Sequence, residues 1–263
     1  MIVVLAFLLM ALFAPLLTPY DPYGINVTNK LKSPSALHWF GTDQLGRDLL
    51  SRIILGSRTA LGIAVSSTLL AGLGGLLLGL LAGYGPRWLD AVLVIIFDSL
   101  NAVPMIMLAL AVITVLGPGI GTLIFVVVLT SVPGYARMIR AQTLALRNAD
   151  YIIAEKSLGA SATRIMLRHL LPNVAGPLFI LLSMDIPVVI MLEAGLSFLG
   201  LGVRPPTPSW GSILNDSYTS LRFAPSMVIF GGLPLVLATL AFTFTGEALR
   251  DALDPKLLLR RPA

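Results

Sequence analysis

Long apolar runs separated by short polar segments dominate this chain. A helix that crosses the hydrocarbon core of a bilayer needs about 20 apolar residues, because the core is roughly 30 Å thick and a helix rises about 1.5 Å per residue. Six runs are candidates for such helices, of which the first is short: 2–17, 60–82, 89–116, 120–132, 174–199 and 227–244. The pattern predicts an all-α integral membrane protein with about six transmembrane helices.

The connections between these runs predict how the chain lies across the membrane. The first run lacks the basic leader and the small-residue cleavage site of a secretory signal, so we expect a retained span with a very short cytoplasmic lead. Six crossings from a cytoplasmic N-terminus put segments 18–59 and 200–224 outside and segments 136–173 and 246–263 inside. The inside segments carry more Lys and Arg, which agrees with the positive-inside rule. We expect one transmembrane domain over residues 1–263.

Glycine is concentrated in the second run. Small residues let two helices approach closely in lipid, where packing rather than the hydrophobic effect drives their association. Glycine is also common in membrane helices for no specific reason, and the sequence leaves both interpretations open. The positions concerned are Gly72, Gly74, Gly75, Gly79 and Gly83.

Composition supports a lipid environment and excludes several kinds of site. Hydrophobic residues make up 56% of the chain and charged residues 12%, whereas a soluble domain carries about a quarter charged residues. Cysteine is absent, and His38 and His169 are the two histidines, so we expect no disulfide, no metal centre and no cysteine nucleophile. The net charge of +5 does not indicate nucleic acid, because the basic residues lie beside apolar runs. No catalytic motif and no phosphate-binding Gly-x-x-x-x-Gly-Lys-Ser/Thr loop occurs, so the chain cannot hydrolyse ATP alone.

The inside segment 136–173 has a pattern of its own. Asn148 or Asp150 can cap a short helix that runs through Leu158. Gly159 then permits a left-handed helix end, after which a second helix can begin. The pattern predicts a helix–turn–helix outside the bilayer.

The second of these helices is expected to start at the cap Ser161 and to end before Pro172. Apolar residues are interspersed in this basic segment: Tyr151, Ile152, Ile153 and Leu158. A helical connector could simply lie on the anionic membrane face. The apolar residues and the spacing from the glycine to the Leu-Pro pair favour a helix that docks on a partner.

The segment resembles the cytoplasmic loop of ABC importer permeases, whose pattern is Glu-Ala-Ala, three residues, Gly, nine residues and Ile-x-Leu-Pro. Gly159 takes the glycine position, Leu171-Pro172 supplies the closing pair, and His169 stands in place of the isoleucine. Ile153-Ala154-Glu155 occupy the Glu-Ala-Ala positions, so the acidic residue comes two places later than in the pattern.

Two further regions are similar to one branch of this family. Residues 38–52, His-Trp-Phe-Gly-Thr-Asp-Gln-Leu-Gly-Arg-Asp-Leu-Leu-Ser-Arg, resemble the signature of the second, "C-type" permease of dipeptide and oligopeptide importers. Blocks 196–203, 208–211 and 246–255 resemble the same branch. The blocks cover nearly the whole chain in the expected order. Importers of nickel and glutathione share these signatures.

The resemblance implies a type I importer permease fold and a non-enzymatic subunit of an ATP-driven importer of di- and oligopeptides in the cell membrane. It implies a second homologous permease that completes a heterodimer, two cytoplasmic ATPases that bind ATP and Mg²⁺, and an extracytoplasmic binding protein. Nickel chelates, glutathione or another small solute are alternative substrates. A passive channel is an alternative of another class, and it does not explain the basic helix–Gly–helix segment.

The resemblance also implies which residues of the inside segment dock on the ATPases. Tyr151, Ile152 and Leu158 are expected to fill a groove in the ATPase, and Arg147 and Lys156 to lie at its rim. The full set of docking candidates is Arg147, Asp150, Tyr151, Ile152, Ala154, Glu155, Lys156, Leu158, Gly159 and Pro172.

Acidic residues in the predicted spans are candidates for the translocation path or its gate, because a charge in the bilayer needs water or a partner. They are Asp98, Asp185 and Glu193. A position near the headgroups or a pairing with the partner permease are the alternatives. We expect Glu193 at an outer gate or an interface, and none of the three in direct contact with peptide.

A turn in the outer segment 18–59 is a candidate surface for the binding protein, with a purely structural lid as the alternative. Asp43 or Thr42 is expected to cap a helix that includes Arg47 and Asp48. The residues of the predicted turn are Gly41, Thr42, Asp43, Gly46, Arg47 and Asp48.

Overall fold

A computed structural model describes residues 1–253, and these residues contain helices and no β-strand. The helices are α1 Ile2–Leu12, α2 Ala14–Leu17, α3 Leu49–Tyr84, α4 Arg87–Asn101, α5 Met105–Leu116, α6 Ile120–Leu146, α7 Asp150–Ser157, α8 Ala162–Ile165, α9 Leu171–Phe198, α10 Trp210–Thr219 and α11 Pro225–Leu253. A short 3₁₀ helix covers Val27–Asn29, and a π-helical turn covers Met166–Leu170. The last part of the inside segment 246–263, including Asp254-Pro255, lies outside the described residues.

Four helices in the described part are long and apolar enough to cross a membrane, and α4 with α5 makes a fifth if the bent pair is one span. The four are α3, α6, α11 and the continuous helix Ala162–Phe198. The first of the six predicted runs is not among them, because it is interrupted. α1 has 11 residues and ends before Phe13, two residues ahead of Pro15, whose ring does not fit a helix interior.

Pro104 breaks the third predicted span. α4 ends at Asn101 and α5 begins at Met105, and the two helices are bent by 90°. Proline removes a helical hydrogen bond and disfavours the helical conformation of the residue before it, which accounts for the break. Two helices continue beyond their predicted spans, α6 to Leu146 and α11 to Leu253.

The chain forms two compact units, each made of separate stretches of sequence. The first unit combines Met1–Ser66, Val112–Ile124 and Met184–Glu247. Its core contains Ile53, Ile213 and Met227. Trp210 is fully buried and its indole Nε1 donates to Ile53 O at 3.2 Å, so a polar group of this core is paired with backbone.

The second unit combines Ser67–Ala111, Phe125–Ser183 and the described part of Ala248–Ala263. Its core contains buried residues of α6 to α9 and of the π-helical turn: Tyr135, Ile139, Ile152, Ile165, Leu170 and Val174. The short helices of the inside segment therefore share one apolar core with longer helices.

Three of the predicted glycines of α3, Gly75, Gly79 and Gly83, lie against α6 within the second unit. A Cβ added at Gly75 would lie 2.4 Å from Tyr135 Cβ, one at Gly79 2.6 Å from Ala136 O, and one at Gly83 2.5 Å from Thr143 Cβ. No side chain fits at these distances, so the close-approach interpretation is confirmed. A leucine stripe of α3 is left exposed: Leu69, Leu73, Leu77 and Leu81.

The predicted helix end before Pro172 was wrong, because the helix Ala162–Phe198 passes through this residue. The π-helical turn Met166–Leu170 precedes it, and Leu171 N–H donates to Met166 O, five residues back. The wider turn changes the hydrogen-bond register just where proline brings a ring and no N–H. Proline is therefore accommodated inside a continuous helix.

Candidate functional site

The inside segment forms the predicted helix–turn–helix, with different capping at its first end. α7 follows Ala149, and neither Asn148 nor Asp150 caps it with a side chain. Asp150 instead lies in the first turn, where its carboxylate interacts favourably with the positive end of the helix dipole. Gly159 has a φ of 81°, which confirms the left-handed helix end. Ser161 caps α8 by accepting from Arg164 N at 3.3 Å, as predicted.

The apolar residues of α7 and its C-cap divide between the core and the surface. Ile152 is fully buried and belongs to the core of the second unit. Its predicted insertion into a partner was wrong, because neighbouring residues of the same chain already enclose it. Tyr151, Ile153 and Leu158 are 44%, 50% and 84% exposed. These three residues form what we call the coupling face.

Polar residues attach α7 to its surroundings. Arg147 Nη1 donates to Gly83 O at 3.2 Å, at the end of α3. Lys156 Nζ donates to Arg147 O at 3.4 Å and lies 5.2 Å from the centre of the Tyr84 ring. Glu155 Oε1 lies 3.4 Å from Nε2 of His169 in the π-helical turn. Arg147, Lys156 and Glu155 thus hold α7 in place, while Asp150, Ala154, Gly159 and Pro172 are exposed.

The outer turn is closed rather than exposed. All six residues predicted to face a binding protein are buried, so they do not present a surface: Gly41, Thr42, Asp43, Gly46, Arg47 and Asp48. Gly41 and Gly46 have φ angles of 80° and 74°, and a Cβ at Gly46 would lie 1.7 Å from Asn26 O. The prediction of a fixed turn is confirmed. Its assignment to partner contact was wrong, because the turn packs into its own segment.

Asp43 organises this turn. Its Oδ1 accepts from Leu45 N at 2.8 Å and from Arg47 N at 3.0 Å, while Oδ2 accepts from Arg47 Nε at 2.6 Å. The helix itself is capped by Asp48, whose Oδ2 accepts from Ser51 N at 2.8 Å. The predicted cap at Asp43 or Thr42 was therefore wrong, and Arg47 and Asp48 precede the helix. Thr42 Oγ1 instead donates to Asn29 O.

Buried charge continues from this turn to α10. Arg52 Nε lies 3.4 Å from Asp43 Oδ2, and Arg52 Nη2 lies 3.4 Å from Asp216 Oδ2. Arg47 Nη2 lies 3.7 Å from the same Asp216 oxygen. Burial raises the pKa of Asp216 above its ordinary value, while the two arginines oppose this shift. A cavity of about 300 Å³ adjoins the cluster, with Arg204 also in its wall.

Two ion pairs join α4 to α6 within the second unit. Arg140 donates to Asp90 through two nitrogens, at 2.5 and 2.7 Å. Arg137 Nη2 lies 3.1 Å from Asp98 Oδ1, and these two side chains are 47% and 62% exposed. Asp98, predicted to lie in the path, thus remains on a surface with a basic partner in its own chain.

The other two acids of the predicted path lie deeper in the chain. Glu193 is buried, and its Oε1 accepts from Ser197 Oγ at 2.6 Å. Ser197 Oγ in turn accepts from Val203 N at 3.2 Å, so Glu193 fixes the turn that follows α9. The side chain therefore has no exposed place in a path, while its predicted role at an outer gate or an interface stays a prediction. Asp185 is partly buried in the first unit. No group of acidic and histidine residues in 1–253 could hold a metal ion.

Comparison with known proteins gives the family. Residues 75–259 match the family described as "Binding-protein-dependent transport system inner membrane component". The chain belongs to this family. Its members are the permease subunits of ABC importers, so this multi-pass membrane permease is a transport subunit and not an enzyme. Residues 1–34 match the "N-terminal TM domain of oligopeptide transport permease C".

Curated relatives match almost the whole permease. The dipeptide transport system permease protein DppC of Alkalihalophilus pseudofirmus is 40% identical over 98% of this chain and 84% of its own length. The glutathione transport system permease protein GsiD of Pectobacterium atrosepticum is 42% identical over 97% of this chain and 85% of its own length. The resemblance to peptide-family importer permeases is therefore confirmed.

Solved structures give the same fold. A structure of the MetNI methionine ABC transporter in an inward-facing conformation matches with a TM-score of 0.58 at 19% identity. The match covers 78% of this permease and 96% of that chain. The predicted type I importer fold is confirmed by this likeness.

Sequence reasoning missed two residues of these sites. Ile153 is exposed beside the buried Ile152, and an eight-residue helix offers too few turns for the pattern to assign its faces. Arg137 was counted with the cytoplasmic basic residues, although its helix α6 is a candidate span. The sequence could have predicted paired charges here, because α4 carries two acids, Asp90 and Asp98, and α6 carries two arginines.

Proposed function

We propose that this permease forms the translocation path of an ATP-driven importer of di- and oligopeptides in the cell membrane. A second homologous permease completes a heterodimer, and two cytoplasmic ATPases bind ATP and Mg²⁺. An extracytoplasmic binding protein delivers the peptide. The named dipeptide relative and the match of residues 1–34 to an oligopeptide permease domain support the substrate.

The coupling face carries this proposal. Tyr151, Ile153 and Leu158 are exposed on a short helix and its C-cap, outside the helices that are long enough to cross a membrane. Exposed apolar side chains on a polar segment favour a protein partner. Ile152, between Tyr151 and Ile153 in the sequence, is fixed in the core with residues of α8 and α9. A partner that moves α7 therefore moves packed helices, which is the coupling that alternating access requires.

The outer segment suggests different contacts for the binding protein. The six residues of the closed turn are buried, whereas Leu37 and Trp39, which precede the turn, are 73% and 67% exposed. We expect the binding protein to meet these exposed residues, with the closed turn supporting them from within. The buried charges then maintain the shape of the segment without touching the partner.

Glutathione is the second candidate substrate. The glutathione permease of Pectobacterium atrosepticum matches this chain at 42% identity over 97% of its residues, as closely as the dipeptide permease does. Glutathione is itself a small peptide with free charged groups, so one path could serve both kinds of solute. A substrate panel separates the two.

The test reconstitutes the permease with its partner permease, two ATPases and binding protein in proteoliposomes. Dipeptides, oligopeptides, glutathione and nickel chelates are compared for stimulation of ATP hydrolysis. A peptide response that disappears when Tyr151, Ile153 and Leu158 are all changed to Ser supports the proposal. Val27→Ser, an equally exposed apolar residue in the outer segment, is the control. ATPase copurification that survives the triple change would contradict the assigned docking role, and a response to nickel chelates alone would replace the substrate.

A further inference from the structure

Asp98 and Arg137 place a pair of opposite charges on an open face of the second unit. Arg137 Nη2 lies 3.1 Å from Asp98 Oδ1, and about half of each side chain remains exposed. Both residues belong to helices that are apolar enough to enter a membrane, α4 as one half of a broken span and α6 as a full one. A charge at membrane depth is unfavourable unless water or a polar partner reaches it. The pair therefore marks a polar surface within an otherwise apolar region.

Both residues lie some distance along their helices from the start of α4 and from the end of α6. At about 1.5 Å per residue, Asp98 lies about 16 Å along α4 from Arg87, and Arg137 about 14 Å along α6 from Leu146. These lengths are about half of a hydrocarbon core that is roughly 30 Å thick. Neither charge therefore lies at the helix end from which it is measured.

The helix break next to Asp98 is a second, independent sign of a polar path. α4 stops at Asn101, and the residues of the break, 102–104, are exposed. Backbone that leaves the helical conformation at membrane depth is tolerated where it lines water or is buried in protein. The C-terminal end of α4 also presents carbonyl groups and the negative end of the helix dipole, which favour a cation beside Asp98.

Arg137 has space in front of it. Gly134 and Ala141, three residues before and four after it, lie on the same face of α6 and are exposed. No atom lies within 4 Å of the position that a Cβ would take at Gly134. Arg137 is therefore flanked by small residues on this face of α6.

The neighbouring pair Asp90–Arg140 differs in all these respects. Arg140 grips Asp90 with two hydrogen bonds, and both side chains are less exposed than Asp98 and Arg137. Arg137 reaches Asp98 with one nitrogen, which also donates to Phe97 O at 3.4 Å. A guanidinium has five N–H donors, so donors remain for another acceptor. The Asp90–Arg140 pair thus has the geometry of a structural clamp. The Asp98–Arg137 pair keeps donors that could bind a further group.

We propose that Asp98 and Arg137 receive the two charged ends of a zwitterionic solute as it passes through the path. The Asp98 carboxylate and the end of α4 would accept hydrogen bonds from an ammonium group, and Arg137 would donate to a carboxylate. The inference rests on the proposed import function and deepens it, because it selects solutes with a free amino and a free carboxyl group. In the empty path the two side chains neutralise each other.

Uptake by the complete transporter tests the assignment. Asp98→Asn and Arg137→Gln should each lower dipeptide uptake about tenfold, since a charge-assisted hydrogen bond contributes roughly that factor in binding. Copurification of the partner permease and the ATPases should not change. The charge swap Asp98→Arg with Arg137→Asp restores an ion pair but exchanges the positions of the acidic and basic groups. The ends of the solute then meet like charges, so uptake should stay low. Uptake restored by the swap would reduce the pair to a structural clamp and overturn the proposal.

The absence of cysteine allows a second measurement that does not depend on transport. Ser99→Cys, beside Asp98, is placed in the complete transporter and exposed to a charged, membrane-impermeant thiol reagent in everted vesicles. Rapid labelling that slows when a transported dipeptide is added supports a water-filled path. Leu77→Cys, in the exposed leucine stripe of α3, is the control and should remain unlabelled. If Ser99→Cys is also unlabelled, the face is covered by lipid or protein and the proposal fails.

Different results would refute the import function and the solute-binding role of Asp98 and Arg137. A wild-type complex that neither takes up dipeptide nor hydrolyses ATP in response to it would refute the proposed function itself. If the Asp98→Asn and Arg137→Gln variants import dipeptide at the wild-type rate, the import function stands. Only the proposed role of Asp98 and Arg137 in binding the solute is then refuted. Asp90→Asn serves as the matched charge change on the same helix.

Discussion

The outer turn and the coupling segment use charged and apolar residues in opposite ways. In the outer turn, Asp43, Arg47 and Asp48 are buried and paired within their own segment. In the coupling segment, apolar Tyr151, Ile153 and Leu158 are exposed, with one isoleucine buried as an anchor. The outer turn is complete within one chain, whereas the coupling segment leaves apolar surface for another. The comparison separates a region whose residues determine folding from a region whose residues determine assembly.

The most disruptive change should be Gly46→Val in the outer turn. The left-handed backbone and the 1.7 Å approach to Asn26 O leave no place for any side chain, so the closed turn cannot form. We expect loss of folded protein, measured as the monodisperse fraction in detergent. Gly24→Ala, where a Cβ meets its neighbours at ordinary distances of 3.4 Å or more, is the control. A well-folded Gly46→Val protein would show that this turn is not essential.

Asp43→Asn should have the next largest effect on the stability of the folded protein. It removes the charge that faces Arg47 and Arg52 while keeping the shape of the side chain, and breaking a buried ion pair costs about 3–5 kcal/mol. Thermal unfolding in detergent should shift to lower temperature. Asp21→Asn, at an exposed position of the same segment, should have little effect. Equal melting of the two variants would contradict the role of Asp43 as an organiser.

Two adjacent isoleucines sharpen the comparison inside the coupling segment. Ile152→Ala removes a fully buried side chain and should destabilise the permease by about 2–5 kcal/mol. Ile153→Ala removes an exposed one and should leave stability unchanged while weakening copurification of the ATPase. Thermal melting and copurification are measured on the same preparations. The reverse pattern would mean that α7 is rotated relative to this description.

Gly159→Val should affect stability less than the changes in the outer turn and in the core, and should affect coupling more. No atom lies within 4 Å of the added Cβ, so the change introduces backbone strain of about 1–3 kcal/mol without a clash. We expect assembly to persist in part while uptake per ATP hydrolysed falls. Gly159→Asn is the control, because asparagine tolerates a left-handed backbone. Normal uptake by the valine variant would remove the turn from the coupling mechanism.

Much of the fold is predictable from the sequence because it depends on length and local chemistry. Apolar runs indicate the spans, and Gly41, Gly46 and Gly159 mark left-handed turns that the structure contains. Burial was less predictable, since it depends on packing between distant segments. A run with as many charges as residues 43–48 is typical of a surface, yet its partners are supplied by its own turn and by Asp216.

The helix through Pro172 shows a different limit. Proline after a leucine predicts a helix end, and the π-helical turn that avoids this end has no simple sequence pattern. For the proposed path, the sequence predicted one residue of the charged pair but not the pairing. Asp98 was identified from its charge in an apolar run, whereas its pairing with Arg137 depends on how α4 and α6 pack.

The glycine face of α3 has a consequence for biosynthesis. α3 is made before α6, with α4 and α5 between them, so its glycines first meet lipid or the insertion machinery rather than their final neighbour. Lipid tails solvate an apolar helix without a hydrophobic penalty, which lets α3 remain unpaired in the bilayer. Docking of α6 onto Gly75, Gly79 and Gly83 is then the step that commits this half of the nascent protein to its shape. A translational pause before α6 would lengthen that unpaired interval without trapping a misfolded chain.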